Sequence, residues 1–168
     1  IVFGLVGSEM CIRDSYFGGA LAASGHDVTL LIRNREHRNA IRANGLELRL
    51  DSGSSVIHPN VIDAESADQA GLADIVIVFT KTGATRAALA DAMPVIGPKT
   101  RLLSLQNGLG NDGVLAEFVP VERVIYGTTM APADIVAPGI VESHGAHLSQ
   151  FRAATDDATT IDMATRFA

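Results

Sequence analysis

A chain of 168 residues with 47% hydrophobic and 19% charged residues is long enough to bury one sizeable core and far from the composition of a disordered segment. Its net charge of −6 and pI near 5.2 argue against a general nucleic-acid or anionic-membrane surface, so any anion site has to be a local basic spot. The single cysteine, Cys11, excludes an internal disulfide and suits a reducing cytoplasm, and no apolar run approaches the ~18 residues of a membrane span. The chain starts without methionine and stops inside an expected helix, so both ends are expected to be cut.

The first apolar run, Ile1, Val2 and Phe3, ends at Gly4. Tyr16 to Ser24 reads as a helix, and HDVTLLIR (His26 to Arg33) reads as a second strand that closes on a basic residue. Together they outline a dinucleotide-binding βαβ unit, in which a glycine-rich turn lets backbone N–H groups meet a pyrophosphate at a helix N-terminus. The turn departs from that outline. Its sequence, LVGSEMCIRDS, contains no G-x-G-x-x-G, and Gly4 and Gly7 are the glycines left to line it.

Arg35 to Gly45 predicts a short helix with a glycine stop. LELRLD then alternates Leu46, Leu48 and Leu50 with polar residues, as a half-buried strand does. SGSS is expected to turn it, and VIHPNVID to return as the second strand of a hairpin, with Pro59 marking an edge. Ala64 to Ala73 reads as a connector or short helix. Asp74 to Thr80 is a continuous apolar run, the pattern of a parallel strand covered on both faces.

Lys81 follows at the carboxyl end of that strand, and Thr85 to Met93 continues as a helix stopped by Pro94. Arg101 to Leu105 is a further strand that opens into QNGLGN (Gln106 to Asn111). Val114 to Val119 reads as helical, Arg123 to Thr129 as a strand, and Met130 to Gln150 as hairpin-like strands. A last helix begins near Asp156 or Asp157. Strands alternating with helices predict an α/β fold, a Rossmann-type, doubly wound, mainly parallel sheet. Val28 to Ile32 should lie beside the first strand and Ile75 to Phe79 on its other side, in the order 3-2-1-4-5, with residues 102–105 and 124–126 in the same sheet.

With Lys81 and QNGLGN both placed after strands, the chain resembles the N-terminal domain of the ketopantoate reductase (2-dehydropantoate 2-reductase) family. The resemblance is carried in order by SYFGGALAASGHDVTLLIR, AIRANGL, ADIVIVFTK, LLSLQNGLGN, RVIYGTT and PGIVESHG, and it spans Ser15 to about Ala168. It implies that residues 1–168 form a truncated NADPH-binding domain. It also implies that a C-terminal helical domain, absent from this sequence, completes the site with a lysine and a glutamate. The implied activity is NADPH-dependent reduction of a 2-keto acid, 2-dehydropantoate to pantoate, in the pantothenate and coenzyme A pathway. Family members resemble G-x-G-x-x-G-S leading into the helix. Here Leu5 to Asp14 instead resembles translated sequencing-adapter read-through, about five residues longer than the join would need.

Arg33 is the sharpest cofactor signal, because an arginine at the end of the second strand suits a ribose 2′-phosphate where an acidic residue suits a 2′-OH. The bland alternative is a solvated strand-end arginine, and Arg35 reads as a surface charge. Lys81 ends a strand at the edge where ligands bind in open α/β sheets, and its ammonium would attract a phosphate or carboxylate; the alternative is a snorkelling lysine. The Asn107 amide would hold the nicotinamide carboxamide or the substrate, although an Asn-Gly pair is often only a turn. Gln106 and Gly108 are weaker candidates. Lys81 and Asn107 are thus assigned to positioning, with Gly4, Gly7, Arg33, Lys81 and Asn107 to the cofactor.

His144 and His147 lack the accompanying carboxylates or cysteines that a metal site needs, so no metal is expected. Cys11 lies in the departing stretch and takes no role, and no G-x-S-x-G elbow is present. The partner expected is a small-molecule 2-keto acid, with neither nucleic acid nor membrane, in the cytoplasm. The rival readings are a non-catalytic nucleotide-binding module and another Rossmann enzyme such as a methyltransferase, for which an acidic residue would be expected in place of Arg33.

Overall fold

The computed structural model describes residues 2–5, 11–145 and 148–167. At its centre β1 (Val2–Leu5) pairs in parallel with β2 (Val28–Leu31) on one side and β6 (Ile75–Val78) on the other. Beyond β2 lies β5 (Asn60–Ile62), and beyond β6 come β7 (Arg101–Ser104), β8 (Val124–Met130) and β11 (Leu148–Ala153). The sheet therefore runs β11-β8-β7-β6-β1-β2-β5, parallel throughout except for the antiparallel pair β8–β11. This is the doubly wound order expected from the sequence, with the chain reversing direction across the sheet at β1.

A second, four-stranded sheet contains β3 (Leu46–Leu50), β4 (Gly53–Ile57), β9 (Asp134–Ala137) and β10 (Ile140–Ser143), in the order β4-β3-β10-β9. It corrects the predicted hairpin. VIHPNVID is split at His58 and Pro59: Val56 and Ile57 pair back onto β3, while Asn60 to Ile62 cross to the large sheet and pair in parallel with β2. Pro59 thus separates two edge strands, where its missing N–H costs no ladder bond. Gly53 to Ser55, expected in the turn, pair within β4.

The helix α1 (Cys11–Ala23) is held between the two sheets. A Cβ at Gly18 would overlap the Leu30 side chain of β2, and one at Gly19 would meet Leu48 and Ile57 of the small sheet at 3.0 Å. The adjacent glycines let one helix touch a sheet on each side. The helix begins at Cys11, five residues before the predicted start, so part of the departing stretch is helical. Phe17 of α1 stacks on Phe79 at 5.1 Å, against the end of β6.

The helix α2 (Arg35–Asn44) is capped by the Asn34 side chain, which accepts from His37 N–H at 2.9 Å, and it stops at Gly45, whose φ is +83°. The buried His37 ring accepts from Gly139 N–H at Nδ1 (3.0 Å), so its Nε2 carries the hydrogen and donates to Ser15 at 2.9 Å. One imidazole thereby ties α1 and α2 to the β9–β10 turn. Burial lowers its pKa.

On the opposite face of the large sheet, α3 (Thr85–Ala92) packs Ala88, Leu89 and Ala92 against Leu31, Val76 and Val78. The other side chains of β2 and β6, Leu30, Ile75 and Ile77, join the core beneath α1. Both strands are buried along their whole length, which explains the unbroken apolar run of β6 and leaves Thr29 as the one polar side chain of β2. The helix α4 (Asn111–Leu115) starts three residues before the predicted helix and ends sooner. The last helix, α5 (Ala158–Phe167), is capped by Asp157, whose Oδ1 accepts from Thr160 N–H at 2.8 Å. Among the described residues no helix is long and apolar enough to cross a membrane.

Candidate functional site

The register levels the carboxyl ends of four strands: Leu31, Leu5, Val78 and Ser104 stand in one row across β2, β1, β6 and β7. Arg33, Lys81 and Asn107 follow that row by two, three and three residues, so the strands deliver these three of the five predicted site residues to the same sheet edge. It is the edge of the switch at β1, where ligands of open α/β sheets bind. Gly4 lies inside β1, opposite Leu30 and Ile77, one residue short of the strand end. Gly7 lies outside the described residues.

Arg33 donates from Nη2 to Asp91 Oδ2 of α3, and each side chain keeps 33% of its surface in water. Its guanidinium is therefore a shared cation and not a bare one. Lys81 and Asn107 are both exposed on their loops. Behind them the backbone is strongly fixed. The Lys81 carbonyl accepts from Ala84 N–H at 2.8 Å, closing a tight turn ahead of α3.

The QNGLGN loop is shaped by Gly108 and Gly110, with φ of +102° and +85°, values that side chains rarely adopt. Asn111 lies buried beneath it, its Nδ2 within reach of the carbonyls of Gly108 (3.1 Å), Gln106 and Asn107 (both 3.4 Å). Gln106 is also buried and bonded on every side, to Thr80, Thr85 and Ser104. Sequence reading ranks Gln106 below Asn107 and gives Asn111 no part of its own. The signal available was placement, since a polar residue next to a strand end must find partners if it is buried.

Asp14 is the discordant group. It sits in the first turn of α1, 1% exposed, with both carboxylate oxygens buried and unpartnered among the described residues. Burial pushes its pKa well above the ordinary carboxylate range. Aligned on the serine of G-x-G-x-x-G-S, Asp14 takes the place of the third glycine, the one that permits close helix–strand packing.

His144 has both ring nitrogens engaged, Nδ1 with Asp51 at 2.7 Å and Nε2 with Glu142 at 2.8 Å, and these carboxylates raise its pKa. His147 lies outside the described residues.

Comparison with known proteins agrees with this architecture. The family model described as ketopantoate reductase PanE/ApbA matches residues 15–154, starting at the residue that follows Leu5 to Asp14. A 2-dehydropantoate 2-reductase of Halobacterium salinarum is 37% identical over 146 residues, covering 84% of this chain and 47% of that protein. The crystal structure of 2-dehydropantoate 2-reductase from Geobacter metallireducens superposes with a TM-score of 0.84 at 29% identity, covering 99% of this chain and 55% of that one. A D-mandelate dehydrogenase in ternary complex with NADH and anilino(oxo)acetate superposes with a TM-score of 0.86 at 25% identity, covering 99% and 53%. The chain spans less than half the length of the curated relatives it matches.

Proposed function

The chain belongs to the ketopantoate reductase family, and from that premise we propose that it supplies the NADPH-binding half of an enzyme that reduces a 2-keto acid, with 2-dehydropantoate as the substrate. The observation that carries the reading is the arrival of Arg33, Lys81 and Asn107 at one edge of the sheet, around the switch at β1. The cofactor, when bound, supplies the hydride. The residues of this chain supply its place. Arg33 would face the ribose 2′-phosphate, and Lys81 would draw an anionic group of cofactor or substrate to the end of β6. The Asn107 amide offers both a donor and an acceptor to a carboxamide, or a donor to the carbonyl being reduced.

The residues at the edge fit such a cofactor in charge and position. The turn does not match the glycine pattern, so binding by the chain as it stands is expected to be weak. Weak binding is readable by NMR. Titration of the chain with NADPH should shift the amide signals of residues 31–34, 80–84 and 105–110 together, and Lys81→Ala and Asn107→Ala should each weaken it. Shifts confined to another surface, or affinity indifferent to both substitutions, would overturn this assignment.

A further inference from the structure

Gln106 joins the two loops carrying Lys81 and Asn107, and it does so from beneath. Its Nε2 hydrogens go to the Thr80 carbonyl and to the Thr85 hydroxyl at 2.8 Å, and the Thr80 hydroxyl lies at 3.2 Å. Its Oε1 accepts from Ser104 Oγ at 3.0 Å. Thr80 precedes Lys81, Thr85 opens α3, Ser104 ends β7, and Asn107 is the next residue in the chain. Both amide heads are thus used internally. The side chain is 8% exposed as a residue, so it has little surface left for a ligand.

From this we infer that Gln106 is a positioning residue: it fixes the spacing of Lys81 and Asn107 across the ends of β6 and β7 without touching what they bind. The inference rests on the cofactor reading of Lys81 and Asn107. The chemistry needs a glutamine here. A shorter asparagine on the same backbone would fall one methylene short of α3, and a methionine fills the volume with no donor at all. A buried network of this kind acts as a unit, because each partner that loses its bond stays buried. The two loops therefore move together or not at all.

The test is Gln106→Met in the full chain, with two measurements. Amide hydrogen exchange should quicken at residues 80–84 and 106–110 at once while the sheet stays protected. The affinity for NADPH, read by NMR titration, should fall about five- to tenfold, as expected for one net hydrogen bond. In that background Lys81→Ala and Asn107→Ala should cost less than they do in the parent chain, since their placement is already lost. Faster exchange limited to residues 106–110, or losses that simply add, would leave Gln106 as local structure only and overturn the inference. Should Gln106→Met fail to fold, Thr85→Val removes one acceptor on α3 and must give the same paired response in milder form; an isolated response overturns the inference equally. If Lys81→Ala and Asn107→Ala are silent in the parent chain, the cofactor reading fails, and the paired exchange response still reports whether the cross-link exists.

Discussion

Arg33 at the end of β2 is ion-paired to Asp91 on α3, in a bond from Nη2 to Oδ2. On the cofactor assignment proposed for Arg33, this carboxylate would compete with a 2′-phosphate. With each side chain 33% exposed, the pair contributes only about 0–1 kcal/mol after screening, so a phosphate can displace it. Asp91→Asn should therefore tighten NADPH relative to NADH, by up to roughly fivefold. Arg33→Asp should do the reverse, weakening NADPH more than NADH by about tenfold or more, the value of a charge-assisted bond. The ratio of the two dissociation constants is the quantity to measure. Equal losses for both cofactors on Arg33→Asp would place this arginine in the fold and not at the 2′-phosphate.

Asp14 gives a prediction about stability. Its folded pKa is raised by burial above the ordinary value, so between the two the folded state holds the proton more tightly than the unfolded state. Stability then falls as pH rises from about 4 towards the folded pKa. Asp14→Ala removes the buried carboxyl and should stabilise the chain at neutral pH by on the order of 1–3 kcal/mol, with the gain shrinking as pH approaches about 4. Urea unfolding at the two pH values measures it. A larger repair, replacing Leu5 to Asp14 with a segment that restores G-x-G-x-x-G-S, should also tighten NADPH, followed by nicotinamide fluorescence. No gain from either change would mean that this turn is adapted to the fold as it stands.

What the sequence disclosed depended on how local the cause was. Ile75–Val78 is buried on both faces, so its apolar run alone predicted a central parallel strand, while Val28–Leu31, equally buried, was legible from its place in the βαβ outline. The switch between sheets at His58 and Pro59 was invisible because alternation is the same on either sheet; only the partners distinguish them, Leu46 for Ile57 and Leu30 for Val61. The edge positions of Arg33, Lys81 and Asn107 followed from strand ends. The Asp91 partner of Arg33 did not, since it lies 58 residues away and depends on how α3 packs. The same holds for Gln106, whose partners sit on three different elements.

Two histidines should respond to pH in opposite directions. His37 is buried and neutral, with Nδ1 accepting from Gly139 N–H, and its pKa is lowered by burial. Its contribution is complete above the unfolded value of about 6.5 and is lost as pH falls through the folded pKa. His144 is exposed between Asp51 and Glu142, which raise its pKa, so its contribution is present below about 6.5 and is lost as pH rises through the folded value. Thermal melts from about pH 5 to 8 should therefore show less acid sensitivity in His37→Gln and more in His144→Asn. The same change of slope in both variants would contradict these assignments.

The last prediction concerns turnover, and it follows from how little of a reaction chamber one sheet edge makes. Reducing a ketone requires the carbonyl held against the nicotinamide, a donor for the oxygen as charge develops, and exclusion of water. Lys81 and Asn107 are exposed beyond the strand ends, and Tyr126, beside the QNGLGN loop, is exposed on β8 as are Met130 and its β11 partner Leu148. Among the described residues Lys81 and Asn107 stay exposed at that edge, and the relatives run to about twice this length. The 168-residue chain, even with its turn repaired, should thus bind NADPH yet oxidise it no faster than background in the presence of 2-dehydropantoate. Joining the remaining half of the Geobacter metallireducens relative after Ala168 should restore oxidation. In that fusion Lys81→Ala and Asn107→Ala should lower kcat/KM by about tenfold or more, the cost of a group that stabilises the reacting oxygen. Steady NADPH oxidation by the unfused chain with any 2-keto acid would falsify the divided site, because the sheet edge alone would then be holding cofactor, substrate and proton donor.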